Sequence, residues 1–325
     1  MWLGYGPQLT EHLLAEAGAA ERYGLDALLV PEHHGLDRWA ANPLLVAYKV
    51  GLATTRLEVG TAPLLLPLYH PVRLAEDAAF IQNELRGRLI VGVGAGYVDA
   101  DFQHLGIPLS ERGPRTDQVL QLLTEAWKGA PFAFSGRHYR IDGRPCLPVP
   151  LTPPKLWLCA GGPVGVRRAA RFADAAVIDS IRSPREIQRL VDLYRAECDR
   201  LDRSPAVVVM RRIWIGDRDF GRRQMSKATE GYRDAVVREG DAPWMPPRNA
   251  TQEATADSDE TMILGDAAEA TERLLDLARA LGSERFILKL PFILEVPARA
   301  VVLEQLAAIG EVARRLGPAR LNAVE

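Results

Sequence analysis

Long apolar runs are absent from this chain of 325 residues. No stretch approaches the roughly 18 apolar residues that a membrane-spanning helix needs. The opening residues, MWLGYGPQLTEH, hold neither a basic segment nor an apolar signal core. A soluble, cytoplasmic protein with no membrane association is therefore expected. Cysteine is scarce: Cys146, Cys159 and Cys198 stand far apart, with no CxxC pair. That leaves no disulfide framework and predicts free thiols in a reducing compartment. The 6 histidines form no carboxylate–histidine spacing that completes a metal triad, so no metal site is expected. An excess of one charge is missing too. Against 40 Lys and Arg stand 42 Asp and Glu, a formal net charge of -2, which argues against a nucleic-acid footprint.

What the chain does have is a hydrophobic fraction of 47% and an alternation of strand and helix signals along nearly its whole length. Strands are predicted at Trp2–Gly6, Asp26–Pro31, Leu57–Leu65, Arg88–Val93, Lys155–Ala160, Ala175–Ile178, Ala206–Ile215 and Arg285–Leu290. Helices follow most of them, one opened by a cap at Thr10, others by proline at Pro43 and Pro71. Val98–Ser110 reads as irregular, and Gly129–Pro154 as a rigid surface crossing that carries Pro145, Pro148, Pro150, Pro153 and Pro154. About eight strand–helix units is the number that closes an α/β (β/α)8 TIM barrel. An open, doubly wound sheet is the alternative. Asp217–Glu260 breaks the rhythm after strand 7: it is charged, proline-bearing and short of periodic apolar positions. It is too short for a core of its own, so the expectation is one barrel domain over residues 1–325 with residues 217–260 as a mobile lid insertion.

In such a fold, chemistry gathers at the carboxyl ends of the strands. Three clusters fall there: Glu32-His33-His34, Gly92–Tyr97 and Gly161–Gly165. Successive strand residues point to opposite faces, so His33 and His34 are not placed to chelate one ion. A histidine at a strand's carboxyl end is placed to exchange protons near neutral pH. The bland alternative is a polar residue satisfying a buried group. Gly92, Gly94 and Gly96 imitate a dinucleotide fingerprint with the wrong spacing. Gly161-Gly162-Pro163-Val164-Gly165 opens a helix directly after a strand, where free N–H groups and the positive helix end suit a phosphate. A simple tight turn would look the same.

Residues 31–34, PEHH, followed by NPLLVAY and then by GTAPLLLPLYHPVRLAED and GRLIVGVGAGYVDADFQHLG, resemble the bacterial luciferase-like flavin-dependent monooxygenase family. The likeness extends over nearly the whole chain and is strongest from Leu25 to Gly106. It implies a barrel, usually dimeric, that uses reduced FMN with O2 or the deazaflavin coenzyme F420. It implies that His33 is the catalytic histidine and that Ala62–Pro63 is cis, forming a shelf for the flavin. Flavin-binding roles are expected for Glu32, His34, Ala62, Pro63, Gly94, Gly96, Gly161, Gly162, Val164 and Arg167. The family's phosphate-gripping arginine falls on Ala95, which turns attention to the Gly161–Gly165 turn and Arg167. Its reactive cysteine falls on Gly94, so no thiol is expected at that point. Its usual aspartate in the LDxLSxGR segment falls on Asn83, remote from the chemistry.

The resemblance thus implies a monooxygenase acting with reduced FMN and O2 on a small apolar or aromatic organic substrate, the FMN being supplied by a separate NAD(P)H:flavin reductase. The alternative is a coenzyme F420-dependent oxidoreductase transferring hydride, with Arg137, Arg140 and Arg144 available to an acidic coenzyme tail. A third is a non-catalytic flavin-binding protein or heterodimer subunit. A homodimer is expected through helices Pro43–Ala53 and Pro71–Leu85, which carry more apolar surface than one core-facing stripe uses: Leu44, Leu45, Tyr48, Leu52, Leu74, Phe80 and Ile81.

Overall fold

A computed structural model of the chain describes residues 7–35, 40–178, 182–236, 260–283, 285–291 and 299–321. Seven strands follow one another in parallel: Ala27–Val30, Glu58–Thr61, Leu89–Gly94, Lys155–Ala160, Ala175–Ile178, Val207–Ile215 and Arg285–Lys289. The predicted first strand, Trp2–Gly6, lies outside the described residues. The architecture is that of a (β/α)8 barrel. Among the described residues no helix is long and apolar enough to cross a membrane.

Strand alternation divides the side chains into two layers. Leu29, Ile90, Trp157, Val177, Met210 and Ile287 belong to a cluster inside the ring of strands. The other set, Leu28, Val59, Val91, Leu158, Val209 and their neighbours, packs outward against the helices. Helix ends follow their local chemistry. Pro43–Leu52 is capped by Asn42, whose side chain accepts from the Leu45 N–H at 3.2 Å. Pro184–Arg200 and Ala267–Leu281 open with capping boxes built from Ser183 with Glu186 and from Asp266 with Glu269. The first helix, Pro7–Arg22, begins ahead of the cap predicted at Thr10.

The segment predicted as one strand, Leu57–Leu65, is interrupted. Strand Glu58–Thr61 ends, the chain passes through a cis Ala62–Pro63 bond, and Leu64–Leu65 pairs again with Val93–Gly94. Leu64 and Leu66 are fully buried, each contributing about 1.5–3 kcal/mol by burial, so this bend is held from below. Val98–Ser110 is not irregular either: Asp99–His104 is a short helix and Leu109–Glu111 a 3-10 turn.

The largest departure lies after the seventh predicted strand. Arg218–Val236 forms a helix, where few periodic positions were expected. Its regular face consists of Met225, Ala228, Thr229 and Tyr232, spaced at three and four residues but too mixed in polarity to read as an apolar stripe. Beyond it, Met262–Gly265 is a further strand, pairing with Arg212–Ile215, while Arg285–Lys289 pairs with Val208–Arg212. The long strand Val207–Ile215 therefore serves two neighbours in succession. Residues 237–259, the remainder of the expected lid, lie outside the described residues.

Candidate active site

The strand ends meet in a cavity of about 490 Å³, within the size range of small-molecule and cofactor sites. Its floor is the bend after Glu58–Thr61. Ala62 and Pro63 line it, and Gly94 on the next strand faces them; a Cβ on Gly94 would stand 3.0 Å from the Pro63 Cβ. Glycine there lets the two strands close up beneath a ligand. Gly96 also lines the cavity. A thiol does reach this region, which the luciferase-type position at Gly94 had not suggested. Cys159, from the neighbouring strand, lines the cavity, and its Cβ lies 3.9 Å from where a Gly94 Cβ would be.

His33 lines one wall. Its Nδ1 lies 2.8 Å from Oδ2 of Asp101, and Oδ1 of Asp101 accepts from the His34 backbone N–H at 2.8 Å. Both side chains are buried. On the other side of the ring, the Tyr232 hydroxyl is 3.2 Å from Nε2. Tyr232 in turn is hydrogen-bonded to the Tyr97 hydroxyl. His33 is thus a buried imidazole held at both nitrogens, in position to take or give a proton.

Glu32 also lines the cavity, but its oxygens are engaged. Oε2 accepts from the Leu65 backbone N–H, and Oε1 from the Tyr69 hydroxyl at 2.7 Å and His34 Nε2 at 2.8 Å. It ties the segment after strand Ala27–Val30, which bears the histidines, to the chain just past Pro63. The hydrogen bond to Glu32 raises the His34 pKa above its ordinary value against the opposing effect of burial. Burial drives the Tyr69 phenol far up, and the neighbouring Glu32 charge adds to it. His34 does not line the cavity; it braces Glu32 from behind.

The third wall is the turn into helix Pro163–Phe172. Gly161, Gly162 and Val164 line the cavity, and among the described residues no heavy atom lies within 4 Å of a Cβ built on Gly161 or Gly162. Among the described residues no side chain caps the helix N-terminus, so its backbone N–H groups suit a ligand. Arg167, expected to help here, points elsewhere: it pairs with Glu197 at 3.2 Å and does not line the cavity. At helical spacing its neighbour takes the inward direction, and Arg168 lines the cavity instead. Arg112 and Arg182 join it. Arg182 donates to the Gly161 carbonyl, and its Nε is buried with no hydrogen-bond partner among the described residues. With Arg212 and Lys289, five basic side chains among the described residues line the cavity against one carboxylate, Glu32. Arg137, Arg140 and Arg144 belong to the surface crossing and do not line it. Asn83 holds that crossing, bonding the Val149 carbonyl and the Leu151 N–H.

Sequence reasoning missed Asp101, Tyr232, Cys159 and the arginines other than Arg167. Asp101 lay in a stretch read as irregular, and Tyr232 in one read as a lid without periodicity. A charged residue 68 positions from His33 gives no local signal of partnership.

The model of a family described as luciferase-like monooxygenase matches residues 2–284. The oxygenase component of a flavin-dependent trigonelline monooxygenase from Acinetobacter baylyi is 22% identical over 65% of this chain and 60% of its own length. An F420-dependent glucose-6-phosphate dehydrogenase from Nakamurella multipartita is 32% identical over 52% of each chain. The chain thus spans between about half and 60% of the length of these curated relatives. Among solved structures, the monooxygenase RslO1 of Streptomyces bottropensis superposes with a TM-score of 0.81 over 95% of this chain and 93% of its own, at 20% identity.

Proposed function

The chain belongs to the luciferase-like monooxygenase family, and from that premise we propose that it is an FMN-dependent monooxygenase acting with O2 on a small apolar or aromatic organic molecule. The observation that carries this reading is the buried His33–Asp101 pair set beside the Ala62–Pro63 bend in a largely apolar cavity. The residues fit a flavin. Pro63 and Gly94 offer a flat surface to a ring system. Gly161, Gly162 and Arg182, whose buried Nε has no partner among the described residues, suit a phosphate, and Arg112 and Arg168 stand nearby.

When bound, reduced FMN supplies two electrons to O2, one oxygen atom going to substrate and the other to water; a separate NAD(P)H:flavin reductase would deliver it. The protein's own contribution is positional and protic. His33, fixed by Asp101, holds or moves a proton at Nε2. Leu65, Val177 and Met210 among the lining residues keep water from the reacting centre, where oxygen chemistry on a flavin is otherwise short-circuited. Glu32 fixes the bend through the Leu65 N–H. The same reading has the protein in the cytoplasm as a homodimer joined through helices Pro43–Leu52 and Pro71–Glu84, from which Leu45, Leu52 and Phe80 project 61%, 61% and 48% exposed. Leu44, Leu74 and Ile81, counted with them in the sequence, are buried in the chain's own core.

A second reading is hydride transfer with coenzyme F420. The five basic side chains around the cavity favour it, because that coenzyme carries an acidic tail. Titrating oxidised FMN, reduced FMN and coenzyme F420 against the purified protein separates the two. Tightest binding of reduced FMN, with oxygen uptake on adding aromatic substrates, is the expected result. Tighter binding of F420 without oxygen uptake transfers the case to the second reading, and binding of none of them overturns both.

A further inference from the structure

Three side chains on the cavity wall make an unbroken run of hydrogen bonds that ends on a buried carboxylate. Asp101 accepts at Oδ2 from His33 Nδ1 and at Oδ1 from the His34 N–H. Proton positions follow from what each atom can do. A carboxylate only accepts, so Nδ1 of the neutral ring carries its hydrogen and Nε2 is left an acceptor. The Tyr232 hydroxyl donates to that Nε2 at 3.2 Å, and the Tyr232 oxygen then accepts from the Tyr97 hydroxyl. The order is Tyr97, Tyr232, His33, Asp101. The first three line the cavity and Asp101 lies behind them.

Tyr232 is delivered to this place by a seated element. Met225, Ala228, Thr229 and Tyr232 form one face of helix Arg218–Val236, and all four line the cavity. One turn before Tyr232, the Thr229 hydroxyl accepts from Arg212 on the barrel strand at 2.9 Å. The Tyr232 and His33 rings lie 5.7 Å apart, tilted by 57°.

We infer that His33 acts on the cavity through these two phenols, so that the helix after the long strand belongs to the catalytic apparatus and is more than a cover. The inference rests on the flavin oxidoreductase reading above. A proton taken from a group bound against Tyr97 goes to the Tyr97 oxygen. The Tyr97 proton passes to Tyr232, and the Tyr232 proton passes to Nε2 of His33. Both phenols end as they began, the imidazole gains one proton, and no electrons change owner. Asp101 then faces an imidazolium. A phenol, ordinarily ionising near pH 10, can hand a proton on in this way without collecting as phenolate.

Tyr232→Phe and Tyr97→Phe each remove one hydroxyl and keep the ring. Two readouts test the relay. The first uses the protein without cofactor: the 15N resonance of His33 Nε2, identified with the His33→Asn variant. Tyr232→Phe moves this resonance by removing its donor. Tyr97→Phe, whose lost hydroxyl is bonded to Tyr232, moves it too if the run is continuous. The second is oxidation of bound reduced FMN by dioxygen. Each of the three single variants is expected to slow it about 100-fold and to share one altered pH profile. The double variant His33→Asn with Tyr232→Phe is expected to be no slower than His33→Asn, as for residues acting in one unit. An Nε2 resonance unmoved by Tyr97→Phe, or additive losses in the double variant, overturns the relay. So does a Tyr232→Phe protein that melts lower with an unchanged pH profile. Failure to bind FMN overturns the functional reading instead, and the cofactor-free resonance still decides the relay.

Discussion

Replacing Asp101 with Asn changes one heavy atom and reverses the polarity of the contact to His33. Both carboxylate oxygens are in use at 2.8 Å, and the side chain is only 2% exposed. The amide oxygen of Asn can still accept from the His34 N–H. Its NH2 group must then face His33, so the ring has to accept at Nδ1 and carry its proton on Nε2, the side held by Tyr232. Hydrogen bonds to charged groups contribute about 1.5–3 kcal/mol and neutral ones about 0.5–1.5. Two such downgrades cost about 2–3 kcal/mol, and removing a buried charge returns about 1 of that. The net loss is about 1–2 kcal/mol, a fall in Tm of roughly 1–3 °C for a chain of this size. The chemical cost is larger. A base in the wrong tautomer forfeits about 10²–10⁴-fold in rate, and the comparable change in Ser-His-Asp systems costs about 10⁴-fold. The assay is single-turnover oxidation of bound reduced FMN beside a melting curve and an FMN titration. Flavin affinity should change little, because the phosphate site proposed at Gly161–Gly162 is separate from Asp101. Near-normal turnover in a protein that only melts lower would show that the pair is structural, and would retire the catalytic role of His33.

Three further outcomes are expected. The His34 pKa is raised, chiefly by its hydrogen bond to Glu32, so the folded chain holds this proton more tightly than the unfolded one. The resulting stabilisation is complete below the ordinary value of about 6.5 and is lost as pH rises through the raised folded value. Tm measured from about pH 5 to about pH 9 should therefore flatten in His34→Gln, and an unaltered profile refutes this. Gly161→Ala should fold with unchanged Tm, since among the described residues no heavy atom lies within 4 Å of its Cβ, yet bind FMN at least ~10-fold more weakly, a loss of about 1.4 kcal/mol. Gly92→Ala, whose Cβ would stand 1.9 Å from the Thr61 carbonyl oxygen, should give no soluble protein; the reverse pattern would show that the turn at Gly161 is not a binding wall. Leu45→Lys with Phe80→Lys should convert a dimer to a monomer in light scattering with little change in the protomer's fold, because both side chains are exposed in the single chain. A wild-type protein that is already monomeric at micromolar concentration refutes the homodimer.

The barrel was legible because its signals are local and repeated. Apolar runs such as Ala175–Ile178 and Val207–Ile215, separated by helices with proline at their first turn, specify a parallel α/β sheet whichever residues later meet. His33 and the glycines stood out by lying where strands end. The cis bond at Ala62–Pro63 came from the resemblance alone. What escaped was everything set by distance in three dimensions. Asp101 carries no periodicity, and its value comes from a chain reversal that brings it to His33. Arg167 and Arg168 are indistinguishable in sequence, and only the rotation of helix Pro163–Phe172 turns the second inward and the first toward Glu197. Tyr232 sits on a helical face of Met, Ala and Thr that lines a polar-and-apolar cavity, and such a face has no stripe to detect. Met262–Gly265, four residues long, becomes a strand by pairing with Arg212–Ile215, whose extra length had no visible purpose in the sequence.

The two ends of the chain that runs from Gly216 to Gly265 are tied together. The Gly216 N–H donates to the Gly265 carbonyl at 2.8 Å, and Arg218 reaches Glu269 at 2.6 Å. Whatever lies between these two glycines starts and finishes at one point. Doubling the length of such a loop costs only about 0.6 kcal/mol in closure entropy, so the stretch behaves as an exchangeable cassette on a socket. Swapping residues 219–260, short of strand Met262–Gly265, would replace the helix face that lines the cavity without editing the strands or the turns that carry His33, Pro63 and Gly161. Because Tyr232 travels inside the cassette, every exchange would also bring its own hydroxyl, or none, to face His33. Substrate range and proton handling would then be inherited together as one transplantable unit.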